Sequence, residues 1–210
     1  FLRWLNTTVK EIKPDAYIVG ECFDGYELIS EYYDSGIDSH FNFATSVAYA
    51  SQSGVINGTN PEGRGITSYY NSLVSNYNIG NGQGIPAPFI DNHDMPRYTY
   101  QSNVEKNKFT FGLLAMMNGT LFSYYGDEVG LEGLFDPMNR QTFPWDDIDN
   151  DLLKWYKFLG KLRQDFSSLK AGKYQEIYSS NGSFVFKRFD ENNELLIAVS
   201  TNKPLNLRFD

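Results

Sequence analysis

The sequence of 210 residues is poor in cysteine and in positive charge. Cys22 is its one cysteine, which excludes a disulfide within the chain. Because it ends an apolar run, we expect it to be a buried, inert thiol. Against 26 Asp and Glu there are 18 Lys and Arg, so the net charge is −8. This sign disfavours a nucleic-acid partner, because phosphate binding needs a basic surface.

Long apolar runs are also missing. No stretch approaches the roughly 18 apolar residues that span a bilayer, so we expect no membrane partner. No signal peptide is visible, yet the chain opens at Phe1 in a helical pattern and without an initiator Met. We therefore expect the native N-terminus to lie upstream, which leaves both secretion and a cytoplasmic location open.

Aromatic residues are plentiful, with 16 Phe, 15 Tyr and 3 Trp. Together with a hydrophobic content of 41% they are enough for a packed core, and we expect most of the rings to lie there. The excess is compatible with sugar binding, because apolar ring faces stack on sugar rings. Phe23 and Trp145 are candidate stacking platforms, although Trp145 would serve equally well as an anchor for its loop.

Hydrophobic periodicity predicts a change of architecture near residue 169. Before it, apolar residues at helical spacing predict helices at 2–12, 44–53, 66–77, 109–117 and 152–162. Short apolar runs predict strands at 16–20, 37–41, 86–90 and 120–125. After it, alternation predicts antiparallel strands at 174–178, 184–189 and 195–200, with a turn at 190–193. We expect Gly119 to cap the helix before it.

The strand–helix order of residues 1–168, repeated four times, predicts an α/β fold with a parallel sheet. Four such units make half of a (β/α)8 TIM barrel. A half barrel has two bare edges, and parallel strands need both faces covered. We therefore expect the other half from upstream sequence or from a second chain, with self-association through the exposed edges as one route.

Polar residues follow two of the predicted strands. The first is Glu21, after Val19-Gly20, and the second is the run Asp91-Asn92-His93-Asp94, which precedes Arg97. Each has a bland interpretation, with Glu21 as a loop residue and Asn92 or Asp94 as a cap for the next helix. At the carboxyl ends of barrel strands, where such barrels hold their active sites, the two together favour a functional site.

Two acids that flank a bond suggest glycoside hydrolysis. One acid protonates the leaving oxygen, so burial or a neighbouring carboxylate must raise its pKa. We expect Val19, Cys22 and Phe23 to desolvate Glu21 in this way. A fixed carboxylate such as Asp94 would stabilise the positive charge that develops on the sugar ring.

A metal-dependent hydrolase is the alternative, with Asp91, His93 and Asp94 as ligands. The sequence offers only one other histidine, His40, and no metal-ligand spacing on a helix. We therefore expect no catalytic metal.

At both strand ends the sequence resembles the α-amylase family, glycoside hydrolase family thirteen. Val19-Gly20-Glu21 is similar to the motif at barrel strand five, whose Glu is the general acid/base. Phe89 to Asp94 is similar to the strand-seven motif, whose Asp stabilises the transition state and whose His binds sugar hydroxyls. The resemblance implies that Glu21 and Asp94 are catalytic and that His93 binds substrate. We add to the expected substrate-binding set Asn92, Phe23 and Arg97, the last in an orienting role.

Further similarity runs along almost the whole chain. Phe41-Asn42-Phe43 resembles strand six, and the run from Ser123 to Glu128 resembles strand eight, where we expect Asp127 and Glu128 to hold the following loop. That loop is similar to the neopullulanase and cyclomaltodextrinase branch at Asp136-Pro137, Arg140 and Phe143-Pro144-Trp145. The resemblance implies barrel strands five to eight in residues 1–168. It also implies the truncated start of an antiparallel β-sandwich in residues 169–210.

The family's nucleophilic Asp, its companion Arg and a sugar-binding His lie at strands three and four and have no counterpart here. The resemblance therefore implies a retaining hydrolase of α-glucosidic bonds in α-glucans or maltooligosaccharides, of which this chain alone is inactive. A transglycosylase would use the same site, and a non-catalytic carbohydrate-binding or assembly relative is a further alternative. No cofactor is expected in this chain. The resemblance allows structural calcium in the full-length protein, because family members bind it mostly through parts absent here.

Overall fold

A computed structural model describes residues 1–43, 84–148, 150–180 and 183–200, with Asn206 and Arg208. The predicted helices at 44–53 and 66–77 lie outside these residues. The helices are α1 (Leu2–Ile12), α2 (Tyr26–Tyr33), α3 (Tyr98–Gln101), α4 (Val104–Met116), α5 (Asn150–Asp165) and α6 (Ser167–Ala171). The strands are β1 (Val19–Gly20), β2 (Ser39–Phe41), β3 (Ile85–Ala87), β4 (Lys173–Ser180), β5 (Ser183–Phe189) and β6 (Glu194–Ser200). Short 3-10 turns lie at Asp127–Val129 and Met138–Arg140.

A parallel sheet contains β1, β2 and β3 in that order, which confirms the predicted direction of these strands. Gly20 pairs with His40, and His40 pairs with Pro86. Helix α2, which the sequence pattern did not predict, provides the crossover that parallel neighbours require. Helix α1 is attached by an ion pair, since the Lys10 ammonium lies 2.9 Å from the carboxylate of Asp38, just before β2.

The prediction of a regular strand at 120–125 is wrong. Residues 120–124 run beside β3, where Thr120 donates its N–H to the carbonyl of Pro86 at 2.9 Å. Phe122 likewise donates to the carbonyl of Pro88 at 3.2 Å. In a parallel pair the N–H of residue 88 would donate back to the carbonyl of Thr120, but Pro88 has none, so this bond of the ladder cannot form.

Gly119 does not cap α4 as expected. The cap residue is Met117, which has extended backbone, and Gly119 follows it with a φ of +114°. A Cβ on Gly119 would lie 2.2 Å from the carbonyl oxygen of Pro86. Only glycine combines this φ with so close an approach, so its role is to bring the chain alongside β3.

Two arginines supply the donors that the end of α4 needs. Arg163 of α5 donates from Nη1 to the carbonyls of Ala115 and Met117, at 2.8 and 3.0 Å. Arg188 of β5 is fully buried and donates to the carbonyl of Met116 at 2.9 Å. Positive charge here also complements the helix dipole. Burial, followed by repulsion from Arg188, lowers the pKa of Arg163 to about 10, so it stays charged at neutral pH.

The larger of the hydrophobic clusters lies between α4, α5 and the antiparallel sheet. Phe111 and Tyr156 stack there with ring centroids 3.8 Å apart, and Phe184 of β5 belongs to the same cluster. Asn107 is its polar centre, because it accepts from the Tyr156 hydroxyl at 2.7 Å and donates to Thr99 Oγ1 at 2.9 Å. These bonds tie α5 and α3 to α4, which carries the chain from β3 towards residue 120.

The antiparallel sheet has the order β4, β5, β6. The predicted turn between β5 and β6 is confirmed, since the Asp190 carboxylate accepts the N–H groups of Asn192 and Asn193 at 2.8 and 3.0 Å. The predicted boundary at residue 169 falls within α6, which leads directly into β4.

We predict that Arg188→Met lowers the free energy of unfolding by about 3 kcal/mol. The Arg188 guanidinium also donates to the carbonyls of Ser168 and Gly172, at 2.9 and 3.0 Å, so its loss removes several hydrogen bonds from the interior. Urea denaturation measures the change. Arg208→Met, at an exposed position, is the matched control and is expected to leave the midpoint unchanged. Equal midpoints for the two variants would contradict this role of Arg188.

Candidate active site

The sheet brings the two predicted strand-end motifs to the same end, where the carboxyl termini of its strands lie. Glu21 directly follows β1, and the run from Phe89 to Asp94 follows β3, at the carboxyl ends of parallel strands. Aromatic contacts join these strand ends, since the ring of Phe43 lies 4.5 Å from that of Phe23 and 5.2 Å from that of Phe89. Glu21 and Asp94 therefore belong to the same rim of the sheet.

Glu21 itself is exposed to solvent, which corrects one expectation. Val19, Cys22 and Phe23 were expected to desolvate it, but Phe23 is 57% exposed and leaves Glu21 open. Cys22 is half-buried rather than fully buried, and burial, reinforced by Asp24, raises the pKa of its thiol. These three residues therefore do not desolvate Glu21.

The turn that carries Asp94 is shaped by its own polar groups. Asn92 Oδ1 accepts the N–H of Asp94 at 2.9 Å, and the Asn92 carbonyl accepts the N–H of Met95 at 3.3 Å. Neither Asn92 nor Asp94 caps the following helix, because the N–H of Tyr98, the first residue of α3, donates to Asp91 Oδ2 at 2.6 Å. The carboxylate of Asp94 is thus not engaged in a helix cap.

The carboxylate of Asp94 lies between two basic side chains. His93 Nε2 is 3.4 Å from Oδ2, and Arg140 Nη2 is 3.5 Å from Oδ1. The same guanidinium lies 3.3 Å from Asp136 through its Nε. The side chain of Asp94 is 50% exposed and that of His93 45%. Long, solvent-facing pairs of this kind contribute little to stability. Because both side chains are about half exposed, they remain accessible to a ligand.

Arg97, expected to contact substrate, is fully buried. Its Nη1 lies 3.1 Å from Asp127 Oδ1, and its Nε donates to the carbonyl of Asn139 at 2.9 Å. Its guanidinium carbon lies 3.9 Å from the ring centroid of Tyr124 and 4.7 Å from that of Tyr125. A side chain enclosed in this way has no surface to offer a sugar, so its contacts favour an orienting role.

Asp91 and Asp127 form a buried carboxyl pair beside Arg97. Desolvation raises the pKa of Asp91 to about 6, against the lowering effects of the Tyr98 N–H and of Arg97. Desolvation, followed by repulsion from Asp91, raises the pKa of Asp127 well above its ordinary value. One guanidinium cannot neutralise two carboxylates, so the folded protein retains a proton on this pair at mildly acidic pH.

The expected structural role of Asp127 and Glu128 is confirmed. Asp127 Oδ2 accepts the N–H of Tyr124 at 3.1 Å, and the Glu128 carboxylate accepts the N–H of Gly126 at 2.8 Å. Both acids therefore hold the turn that follows residues 120–124.

Trp145, the second candidate platform, is 77% exposed, and its ring lies 4.6 Å from that of Phe143. Burial does not anchor it. Of its two predicted roles, exposure favours the stacking platform.

Sequence reasoning missed Asn139, which is fully buried in the 3-10 turn at Met138–Arg140. Its Nδ2 donates to the carbonyls of His93 and Met95, both at 2.8 Å. Because 46 residues separate Asn139 from His93, no local pattern in the sequence signals the contact.

The metal alternative finds no support in the described ranges, where no three or more His, Cys, Asp or Glu side chains are grouped to hold an ion. Asp91 bonds to Tyr98 in the interior, whereas His93 and Asp94 lie at the surface, so the three proposed ligands do not converge. In a separate respect, none of the helices within the described residues is both long and apolar enough to cross a membrane.

Comparison with known proteins adds a family to this geometry. The family model described as "Alpha amylase, catalytic domain" matches residues 1–172. A cyclomaltodextrinase from Bacillus sp is 27% identical over 97% of this chain and 36% of its own length. Neopullulanase 2 of Thermoactinomyces vulgaris is 29% identical over 82% of this chain and 29% of its own length.

Solved structures give the same result. The α-amylase of Geobacillus thermoleovorans, complexed with acarbose, has a TM-score of 0.82 and 25% identity over 94% of this chain and 44% of that one. Eubacterium rectale Amy13B has a TM-score of 0.80 and 27% identity, covering 95% of this chain and 46% of that one. The chain thus spans less than half the length of these relatives.

We predict that the Asp91–Asp127 pair makes stability fall as pH rises. The pKa of Asp91 is about 6 in the folded protein against an ordinary value of 3.8. Between these values the unfolded chain loses a proton that the folded protein keeps. The contribution of Asp91 is therefore fully present below pH 3.8 and is lost as pH rises through about 6.

The test compares urea denaturation of the wild type and Asp91→Asn at pH 4 and pH 7. The asparagine variant stays neutral at both values and keeps an oxygen for the Tyr98 N–H. Relative to Asp91→Asn, the wild type is expected to lose about 2 to 3 kcal/mol between the two pH values. Asp147→Asn, at an exposed position, is the control. Parallel pH profiles for wild type and Asp91→Asn would disprove the effect.

Proposed function

The chain belongs to the α-amylase family of glycoside hydrolases, and from this premise we propose that it forms the acid/base side of a retaining active site. The proposed substrates are starch-like α-glucans or maltooligosaccharides. Glu21 is the proposed general acid/base, Asp94 the transition-state stabiliser and His93 a ligand of the sugar. One observation carries the proposal, namely that Glu21 and Asp94 follow strands of one parallel sheet at its carboxyl edge.

The proposed reaction has two steps. A nucleophilic carboxylate attacks the anomeric carbon while Glu21 protonates the leaving oxygen, and Glu21 then takes a proton from the water that releases the sugar. Retention requires nucleophile and acid about 5–5.5 Å apart. We propose that the nucleophile is an aspartate outside these 210 residues, since neither strand-end motif here supplies one. Its approach would also desolvate Glu21, which no neighbour in the described part does.

Asp94 is proposed to act by charge. The developing sugar cation lies where a fixed carboxylate lowers the barrier without moving in the reaction. The side chains of His93 and Asp94 are about half exposed, so their polar atoms are open to the hydroxyls of a sugar. Phe23 and Trp145, both exposed, are proposed stacking platforms, and Asn92 and Arg97 are proposed to shape the site from behind.

We propose that β1, β2, β3 and residues 120–124 are strands five to eight of a (β/α)8 barrel in residues 1–168. Residues 169–210 would then begin an antiparallel β-sandwich. The bonds from residues 120 and 122 to the carbonyls of Pro86 and Pro88 support the fourth position. Remaining strands would cover the free edge of β1, and self-association through that edge is proposed for the chain in isolation.

The names of the relatives support an α-glucan substrate, since they include a cyclomaltodextrinase and a neopullulanase. The run Asp136-Pro137 with Arg140 resembles the same branch in sequence, and the Arg140 guanidinium lies beside the carboxylates of both Asp94 and Asp136. A non-catalytic role would leave this arrangement of acids without a task.

In the full protein, Glu21→Gln is expected to lower turnover of a maltooligosaccharide by about 10²- to 10⁴-fold, because the amide cannot exchange a proton with the leaving oxygen or with water. Binding of the oligosaccharide, measured by calorimetry, is expected to persist. Glu27→Gln, on the exposed first turn of α2, is the matched control. Unchanged turnover in Glu21→Gln would remove Glu21 from the acid/base role and favour the non-catalytic alternative.

The purified 210-residue chain is expected to release no sugar from maltoheptaose, because it lacks the proposed nucleophile. Reducing-end release over a day measures this, with the full protein as the positive control. Hydrolysis by the chain alone, abolished by Glu21→Gln in that same chain, would mean that the nucleophile lies within these residues.

A further inference from the structure

The side chain of Asn139 brackets Asp94. Both of its Nδ2 hydrogens are used, one on the carbonyl of His93 and one on the carbonyl of Met95, each at 2.8 Å. These are the residues on either side of Asp94. Asn139 is fully buried, so no water competes for the two bonds. The backbone on both sides of Asp94 is thus fixed by one amide from a distant loop.

The carboxylate of Asp94 depends on this support because its own contacts are weak. Its oxygens lie 3.4 Å from His93 Nε2 and 3.5 Å from Arg140 Nη2, and half of the side chain is exposed. Neither contact has the short, directed geometry that fixes a side chain. Its orientation therefore follows that of the backbone turn. Asn92 stabilises this turn by accepting the N–H of Asp94, and Asn139 stabilises it by donating to the carbonyl of His93.

Asn139 is itself held in place by the buried cation. Its carbonyl accepts from Arg97 Nε at 2.9 Å, and the N–H of Arg97 donates to the carbonyl of Gly133 at 2.8 Å. The loop that contains Gly133 and Asn139 is thereby tied to the segment just after Asp94 at two points. The next residue, Arg140, is brought beside the Asp94 carboxylate by the same anchorage.

We propose that Asn139 is a positioning residue for the chemical step, acting through the backbone of His93 and Met95 to aim the carboxylate of Asp94. This inference rests on the proposed function, because it assigns Asn139 a task only if Asp94 stabilises a transition state. A carboxylate in the wrong orientation loses mainly its stabilisation of the transition state, where positive charge develops on the sugar. Loss of the amide is therefore expected to lower kcat more than it raises KM.

The experiment is a double-mutant cycle in the full protein, with maltoheptaose as substrate and the variants Asn139→Leu, Asp94→Asn and both together. Leu has similar bulk and no donor. In the wild-type background Asn139→Leu is expected to lower kcat by about 10- to 100-fold, with KM changed by less than about 3-fold. In the Asp94→Asn background the same substitution is expected to lower kcat by less than about 3-fold, because the carboxylate it aims is gone.

A purely structural role is separated by two controls. Arg188→Met removes a fully buried side chain that bonds to the carbonyls of Met116, Ser168 and Gly172, outside the segment of Asp94, and all rates are measured well below the melting temperature of each variant. A loss of kcat as large as that of Asn139→Leu would show a general effect of destabilisation and overturn the proposal. Asn139→Ser, which retains one donor and adds no bulk, replaces the leucine variant in the cycle if that variant does not fold.

The outcomes also separate this inference from the proposed function. Suppose that Asp94→Asn lowers kcat steeply, and that Asn139→Leu lowers kcat by the same factor in this background as in the wild type. The two residues then act independently, and only the positioning role fails. If Asp94→Asn leaves kcat unchanged, the assignment of Asp94 fails and the inference fails with it.

Discussion

The part of the chain around the candidate site depends on one buried cation. Arg97 has no exposed surface, pairs with Asp127, and lies against the rings of Tyr124 and Tyr125. Burying a guanidinium costs several kcal/mol unless partners surround it, and here carboxylate, carbonyl and aromatic partners all do so. The segment after β3, the turn after residues 120–124 and the loop around Asn139 meet at this side chain. Removing it would leave two buried acids without a counter-charge.

The acids near Arg97 differ in role from the acids proposed to act on substrate. The acids beside Arg97, Asp91 and Asp127, are enclosed and share the task of holding elements together. Glu21 and Asp94 lie at the surface of the same rim, where a substrate can reach them. The run from Asp91 to Asp94 thus contains two acids with different environments. Asp91 is buried in the interior, and Asp94, three residues later, faces the solvent, where the proposed reaction takes place.

Much of this could be predicted from the sequence, but not all of it. Apolar spacing predicted α1, and the alternating pattern after residue 169 predicted β4, β5 and β6 with the Asp190 turn, because these are local patterns. The strand-end motifs gave the rim of the site. The absence of a regular strand at residues 120–124 could have been predicted. Pro86 and Pro88 are visible in the sequence, and neither can donate an N–H group to a neighbouring strand. The burial of Arg97 and the contacts of Asn139 could not, because they join residues about 40 positions apart.

The arginine grip on the end of α4 has a consequence for how such chains diversify. Arg163 comes from the helical part and Arg188 from the antiparallel sheet, yet both serve carbonyls of one helix terminus. The sheet is therefore not a detachable appendage, because its arginine completes the hydrogen bonding of the unit before it. An evolutionary exchange of the antiparallel sheet for an unrelated unit would have to supply another donor to the carbonyl of Met116, or leave that carbonyl without this hydrogen bond.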